Sequence, residues 1–564
     1  MGQVQFTVLG RAVALRRFCG ALAACTTLCS VSVNAATISV AAGTTAAQLN
    51  TSIQNADAGT VFEFAADTVY AFDQTIDLES GITLRGAGPD SVIRATGSQE
   101  AIVRALGPSG GLSNLAVENL TLDGGGADGN RNTYGFQAWG QSGTITGVRL
   151  SGLTIRNIGN NSLPDSSQFG VFFTDNVTDS VIENSIIEDI NPDSVWAAGI
   201  RVANGSSRNV IAGNHVARTG RGGILTNDNS TDLLILNNTV SKSGLADGSQ
   251  DDLGIELFNG NDNSVVQGNT VDSWVSVDSS DRVAVRGNTV TGDPDRDNAF
   301  FGLEIVDSSD VVFADNEVRG GVDIGLSFSG SGVTQNVLVV DNEIKNAGTF
   351  GVQLQGEAGG AREIYLARNL FDGTTSADPG VGDGVRLNEN LTDIVFDRNT
   401  ITNNSRNGIA VNGDAATYDH IDLIGNVLSN NASGDFDGID ILNLLDPADF
   451  PAADFLEAEA GETLTFTFDG ITGQPVRVLW DLGVGAPIVT VGPSSSSVGV
   501  ILPDSLAIGT VVSAVAWNAD GDADFRSAVV IPEPSLGAMV LIGGFLMGGV
   551  RGVRRRPIHA STES

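Results

Sequence analysis

IVFDRNTITNNSRNGIAVNG, Ile394–Gly413, holds two short apolar–polar alternations around a polar turn, with Asn399 and Gly408 at the bends. Alternation over four to six residues puts one set of side chains inside and the other outside, which is the period of a strand. Most of the chain repeats this pattern. LAVENLTLDG, SVIENSIIED, LLILNNTVSKS and VVFADNEVRG lie upstream, and IDLIGNVLSN follows. The Asn recurs at Asn119, Asn184, Asn214, Asn238, Asn269, Asn288, Asn316, Asn342, Asn369, Asn399 and Asn426, and Gly152 fills the same slot. Spacings run from 19 to 33 residues and cluster near 27. Self-similarity at that period is the mark of a solenoid.

A second strand, Gly–apolar–any–apolar, recurs ahead of the Asn as FGVFF, AGIRV, LGIEL, FGLEI and NGIAV. No helical period runs through the repeats, so helical and leucine-rich solenoids fit poorly. The pattern predicts an all-β coil of short strands, each stacked in parallel on its equivalent about 4.8 Å away. About a dozen coils make a rod of roughly 50–60 Å. Inward Ile, Val and Leu form the core, the Asn amides stack as a ladder, and the Gly serves a bend with unusual backbone angles. The residues expected to face outward from the Gly-initiated strands are Phe172, Arg201, Leu225, Glu256, Ser276, Glu304, Ser327, Gln353, Arg386 and Ala410.

Over residues 36–446 this pattern resembles the right-handed parallel β-helix, or pectin lyase-like, superfamily. In TTAAQLNTSIQNA, Leu49 and Ile53 share one helical face and can cap the first coil, whose open end would be a bare sheet edge. Residues 456–530 lose the Asn marker and carry longer strands (ETLTFTFDG, VRVLWDLG), predicting a small β-sandwich-like domain or else a long β cap. The superfamily includes polysaccharide lyases, hydrolases and epimerases as well as non-enzymatic surface and phage proteins, so the resemblance does not select an activity.

Both ends read as addresses. Arg11, Arg16 and Arg17 precede an apolar run that ends in VNAA, predicting a signal peptide over 1–35 cleaved after Ala35; LAAC, ending at Cys25, is a competing lipidation site. At the other end, Pro532-Glu533-Pro534 precedes a 15-residue uncharged run, Leu536–Val550, and the basic cluster Arg551, Arg554, Arg555 and Arg556. A full bilayer crossing needs about 20 residues. Residues 531–556 resemble the PEP-CTERM sorting signal of Gram-negative bacteria. That resemblance implies an exosortase-type partner, a short transmembrane helix that engages the inner membrane transiently, and export to the cell surface or medium.

The formal charge is −37, and becomes −40 (27 basic, 67 acidic) once the leader and its three arginines are gone. Such a surface repels nucleic acid and anionic membranes, and it argues against a cationic groove for polyuronates. All cysteines (Cys19, Cys25, Cys29) lie in the leader, so the exported body has neither disulfide nor thiol chemistry.

Glu256 and Glu304 fall two coils apart, about 9.6 Å between backbones, compatible with the roughly 6.5–9.5 Å carboxyl gap of inverting glycosidases. QDDLGIELF adds Asp251 and Asp252, and resembles the paired acids of polygalacturonase-type hydrolases, although the GHG and RIK stretches of that family are absent. Glu256, Glu304 and Asp252 are therefore the catalytic candidates, and Arg201, Gln353 and Arg386 the substrate-binding ones. No cofactor is evident; calcium at Asp251, Asp252 and Glu256 is the one metal option. His215 and His420 read as surface residues without a nameable partner. Three functions stay open: polysaccharide binding along the strand face, polysaccharide cleavage there, and a structural or adhesive rod.

Overall fold

The computed structural model describes residues 36–438 (apart from 126–132, 160–166, 247–252, 294–298 and 414–416) together with 456–459, 463–467, 477–491, 497–503, 506, 510–517 and 523–531. The leader, the sorting motif Pro532, Glu533, Pro534, Arg554, Arg555 and Arg556, and Asp251 and Asp252 lie outside the described residues. Among the described residues no helix is long and apolar enough to cross a membrane.

Within 36–438, short strands rotate through three parallel sheets. Sheet A has 16 strands, from Thr37–Ser39 to Tyr418–Ile424. Sheet B has 14, from Thr68–Phe72 to Val427–Ser429, and sheet C has 14, from Ile76–Asp77 to Gly434–Asp437. Thirteen steps of about 4.8 Å make the rod about 62 Å long, slightly beyond the expected dozen coils. One hydrophobic core runs through it from Leu49 to Ile421. Val171, Ile200, Ile224 and Ile255 stack in register and are fully buried, as are Ile187, Val216, Val240 and Val271 across the interior. Each such side chain contributes roughly 1.5–3 kcal/mol, and parallel strands with no sheet-end turns depend on that sum.

The Asn ladder is present, with a corrected register. Asn214 donates its backbone N–H and its Nδ2 to Asn238 Oδ1 (2.9 and 3.0 Å), and Nδ2 also to Ile182 O (2.9 Å). The same triplet recurs along the ladder to Asn426. Asn119, Gly152 and Asn184 stand one residue earlier: Ser185, not Asn184, donates its N–H to Asn214 Oδ1. Their column, with Gly213, Asn237 and Gly268, holds the left-handed backbone at φ 50–65° or just above. Asn tolerates both slots, which is why the sequence merged them.

The recurring Gly of sheet C has a different role from the one expected. Gly199 and Gly223 lack positive φ. A Cβ on Gly199 would overlap Val216 and the Gly223 carbonyl, and one on Gly223 would overlap Val240 and the Gly254 carbonyl. Close approach of sheet C to sheet B excludes a side chain there.

The N-terminal cap is as expected. Helix α1, Ala46–Gln54, starts at Thr45 with a reciprocal capping box to Gln48, and buries Leu49 and Ile53. Asn50 supplies the missing ladder bonds of the first strand of sheet C: Nδ2 donates to Thr75 O (2.8 Å) and Oδ1 accepts from Asp77 N (3.0 Å).

Strands beyond residue 455 form a five-stranded sheet and a two-stranded antiparallel one. Phe466 stacks on Trp480 at 5.5 Å between them, with Val478, Val498 and Val512. The other face of the larger sheet, through Leu479, Val515 and Trp517, covers Val312, Leu338, Tyr365 and Val395 on the outside of sheet A. A nearly inaccessible Arg286–Asp481 pair and an Arg477–Glu363 pair (2.8 Å) join the two.

Candidate functional site

The ten residues expected on the outer face of sheet C form one unbroken register from Phe172 to Ala410, through Arg201, Glu256, Glu304, Gln353 and Arg386. Outward does not mean exposed. Leu225, Ser276, Glu304, Ser327 and Ala410 are buried. A second outward column, where Phe169, Leu253 and Trp274 gather with Ala198 and Leu225 into an apolar cluster on the outside of the sheet, covers Leu225, and the Trp274 indole covers Glu304. Tyr134, Phe172 and Phe301 are half-buried at its margin.

Trp274 reaches that face because its coil departs from the repeat. Its strand, WVSVD, lacks the Gly, and the pairing shifts register between Leu253 and Ile255 opposite it. The indole then stands in the column that Tyr134, Phe169, Ala198, Gly222 and Leu253 occupy in the coils before it.

Glu304 lies beneath it and is 6 % exposed. Trp274 Nε1 (3.1 Å) and Ser276 Oγ (2.8 Å) donate to Oε2, and Ser329 Oγ to Oε1 (3.3 Å). Burial dominates these three donors and, with the Asp278 carboxylate nearby, pushes the carboxyl up to about 7. Glu256 is only half-buried, with a carboxylate oxygen 4.0 Å from Arg221 Nη2. The charge that acts on Glu304 is that of Asp278, on the adjacent coil, rather than Glu256 two coils away. Burial also raises Asp278. The sequence reading missed Asp278, since it occupies the next outward position rather than the one inventoried. Asp252, the third candidate, lies outside the described residues, and with it the calcium option; among the described residues no group of three His, Cys, Asp or Glu is placed to hold a metal.

The proposed binding residues are not brought together. Arg201 lies over the Phe169 ring (5.1 Å) and donates Nε to Asn227 Oδ1 (3.3 Å). Arg386 is seven coils away, about 34 Å, over Phe350 and bonded to the fully buried Asp383 (3.0 Å). Gln353 contacts Gln355. His215 is exposed. His420, expected to have no partner, has one: Nδ1 is 3.2 Å from Asp393 Oδ1, and against burial, which lowers it, Asp393 with Asp419 and Asp422 raises the imidazole pKa.

Residues 111–290 match the family model described as a right handed beta helix region. No curated protein sequence matches the chain. Among solved structures, the A-module of mannuronan C-5 epimerase AlgE6 from Azotobacter vinelandii is 16% identical, with a TM-score of 0.47 over 68% of this chain and 94% of that one. Gene product 12 of bacteriophage phi29 is 13% identical (TM-score 0.47; 69% and 55%). PfbA, a surface adhesin of Streptococcus pneumoniae, is 12% identical (TM-score 0.38; 70% and 89%). The three parallel sheets give residues 36–438 a parallel β-helix fold, and it is within them that residues 111–290 match the right handed beta helix model.

Proposed function

We propose that this is an exported, exosortase-sorted surface or extracellular protein whose sheet C binds polysaccharide of the extracellular matrix. The observation that carries the binding role is the in-register outer face of sheet C. Half-buried Tyr134, Phe172, Arg201, Glu256, Gln353 and Arg386, with exposed Phe258, lie along it at multiples of about 4.8 Å, four coils separating Glu256 from Gln353. Ring faces and polar groups set along a rigid rod suit a linear polymer of sugar rings, which offers both apolar faces and hydroxyls. Export and sorting rest on the leader, on Pro532-Glu533-Pro534 and on Arg554–Arg556, which would engage the inner membrane and an exosortase in transit.

A polysaccharide panel, neutral and acidic, incubated with the purified protein tests the reading: retention without turnover supports it, and retention of none leaves a structural rod. Deleting residues 532–564 is expected to change where the protein resides without unfolding it; unchanged location in an exosortase-bearing host overturns the sorting role.

One observation favours an enzyme instead. A carboxyl with its pKa near 7 can donate a proton at neutral pH, as a general acid must, and a second carboxylate, Glu256, lies two coils away beside Arg221. Release of reducing ends or unsaturated products, abolished by Glu304→Gln and Glu256→Gln, would establish cleavage over binding alone.

A further inference from the structure

The outward column of sheet A is apolar in every coil from Val181 to Val395, which belong to one unbroken register. The five-stranded sheet covers its stretch from Val312 to Val395, and Val265 and Ala284 just before it are buried as well. The column then runs out from under its cover. Val181 and Val210 are half-buried, Leu234 is 36 % exposed, and Leu236 on the same face is half-buried. Sheet B shows the ordinary alternative: in the coils of Val210, Leu234 and Val265 its outward positions hold His215, Thr239 and Thr270. A bare apolar strip continuous with a packed interface suits a further apolar occupant.

The pairing of the five-stranded sheet shows which part of the chain arrives there. Its strand Arg477–Asp481 begins at the Arg477–Glu363 pair and ends at the Arg286–Asp481 pair, three coils nearer the N-terminal end of the rod. Four residues of strand and three coil steps both measure about 13–14 Å, so this strand runs along the rod axis. Val511–Trp517 runs the opposite way beside it, and Ala523–Ile531 runs back again, with Asp481, Ser513 and Ser527 abreast. Ile531, four residues further, therefore lies about 13 Å beyond Ser527. That is between two and three coils past Arg286, level with Leu234 and Val210. Only Pro532–Ser535 then separate it from the uncharged run Leu536–Val550, whose first residue is within about 18 Å of Ile531 even on a fully extended chain.

We propose that the uncovered strip of Val181, Val210, Leu234 and Leu236 is the docking site of this chain's own apolar run, Leu536–Val550, while the tail is attached and the protein is in water. The run has 15 residues, short of the roughly 20 that a bilayer crossing needs, so apolar cover on the protein competes with the membrane for it. A second copy suits the strip less well. Three coils by two outward columns span about 10 Å by 7 Å, far below the roughly 800 Å² per partner of a stable interface. The charge of −37 on each copy also opposes their approach, and it keeps the rod off an anionic bilayer. The tethered run is the occupant present at the highest effective concentration. The inference goes beyond the sorting reading: it requires the run but no exosortase.

The test is disulfide trapping in the full chain, purified without detergent and carrying Cys19→Ser, Cys25→Ser and Cys29→Ser so that no native thiol competes. Oxidation closes a bridge only where two Cα atoms come within about 7 Å. Leu234→Cys is combined in turn with Leu536→Cys, Met539→Cys and Leu541→Cys. At least one pair is expected to bridge within a single molecule, at about tenfold the yield of the same partner with Glu343→Cys, an exposed site on sheet B. Should the paired variants fail to fold by circular dichroism, Leu234→Asp in the otherwise unchanged chain carries the test. It is expected to speed chymotryptic cleavage at Phe545 about fivefold, since cleavage follows the undocked fraction. Bridges that form only between molecules assign the strip to a second copy. Bridges that vanish when phosphatidylcholine vesicles are absent assign the run to a bilayer. Either result, equal yields at Leu234 and Glu343, or cleavage unmoved by Leu234→Asp overturns the proposal. None of them touches the sorting reading, which is decided by where the protein lacking residues 532–564 resides.

Discussion

Glu304→Gln removes one ionisable group from a pocket whose shape and donors can stay as they are. Trp274 Nε1 and Ser276 Oγ can still donate to the amide oxygen, and the new amide N–H can donate to Ser329 Oγ, whose hydroxyl reverses its role. The magnitude follows from linkage. The folded carboxyl titrates at about 7 and the unfolded one near 4.5, a gap of about 2.5 units, or roughly 3 kcal/mol for a group this buried. The sign follows from the proton: the folded state binds it more tightly, so the wild type has its full stability below about pH 4.5. That stability declines as pH climbs to about 7, then levels off. The Gln variant has no such decline from this position. Equilibrium unfolding in urea at pH steps from 4 to 9 should therefore show the variant gaining on the wild type by roughly 3 kcal/mol across that window. The other raised carboxyls, Asp278 and Asp315 among them, are common to both proteins and largely cancel in the difference. A difference independent of pH, or a wild type that gains on the variant as pH rises, would refute the dry, proton-holding pocket and with it the general-acid reading.

Three further outcomes follow from the packing. Asn288→Ala strips the buried Asn269 N–H and the Val266 carbonyl of partners, and should cost roughly 2–5 kcal/mol in unfolding, with faster amide exchange in the two flanking coils. Gly199→Ala drives a methyl into Val216 and the Gly223 carbonyl; a loss of about 1–3 kcal/mol is expected by thermal unfolding, where an ordinary exposed Gly→Ala change would stabilise. Arg286→Met strands the buried Asp481 carboxylate under the outer sheet and should cost about 3–5 kcal/mol, whereas Arg286→Met combined with Asp481→Leu should recover most of it, measured by unfolding of the two variants side by side.

The solenoid was legible because every coil carries the same instruction. Period-2 alternation, a bend Asn and a packing Gly recur so often that local exceptions do not alter the reading, and the outward register from Phe172 to Ala410 came out residue for residue. What the period could not supply is what covers an outward side chain. Leu225 and Glu304 point away from the core, yet Trp274, Leu253 and Phe169 cover them, and those residues sit in a column the inventory skipped. One signal was present and unread: VVFA (311–314), VLVV (337–340) and IVF (394–396) are apolar at consecutive positions rather than alternating ones. A strand that is apolar on both faces is buried on both, and these are the strands of sheet A that lie under Leu479, Val515 and Trp517.

The candidate site is harder to read for a related reason: it lies where the repeat fails. The coil of Trp274 drops the Gly that its neighbours need, and the resulting shift in register puts an indole on the outer face above the Glu304 carboxyl of the next coil. Arg201 is likewise an exception among the half-buried arginines of the described residues, a cation with no carboxylate within 4.0 Å. In a repeat protein the consensus describes the scaffold, since each position is chosen by stacking on its own kind above and below. Chemistry needs unlike groups facing one another, so it has to come from the coils that break the consensus. Those departures, rather than the matches, are where the sequence of such a protein speaks about function.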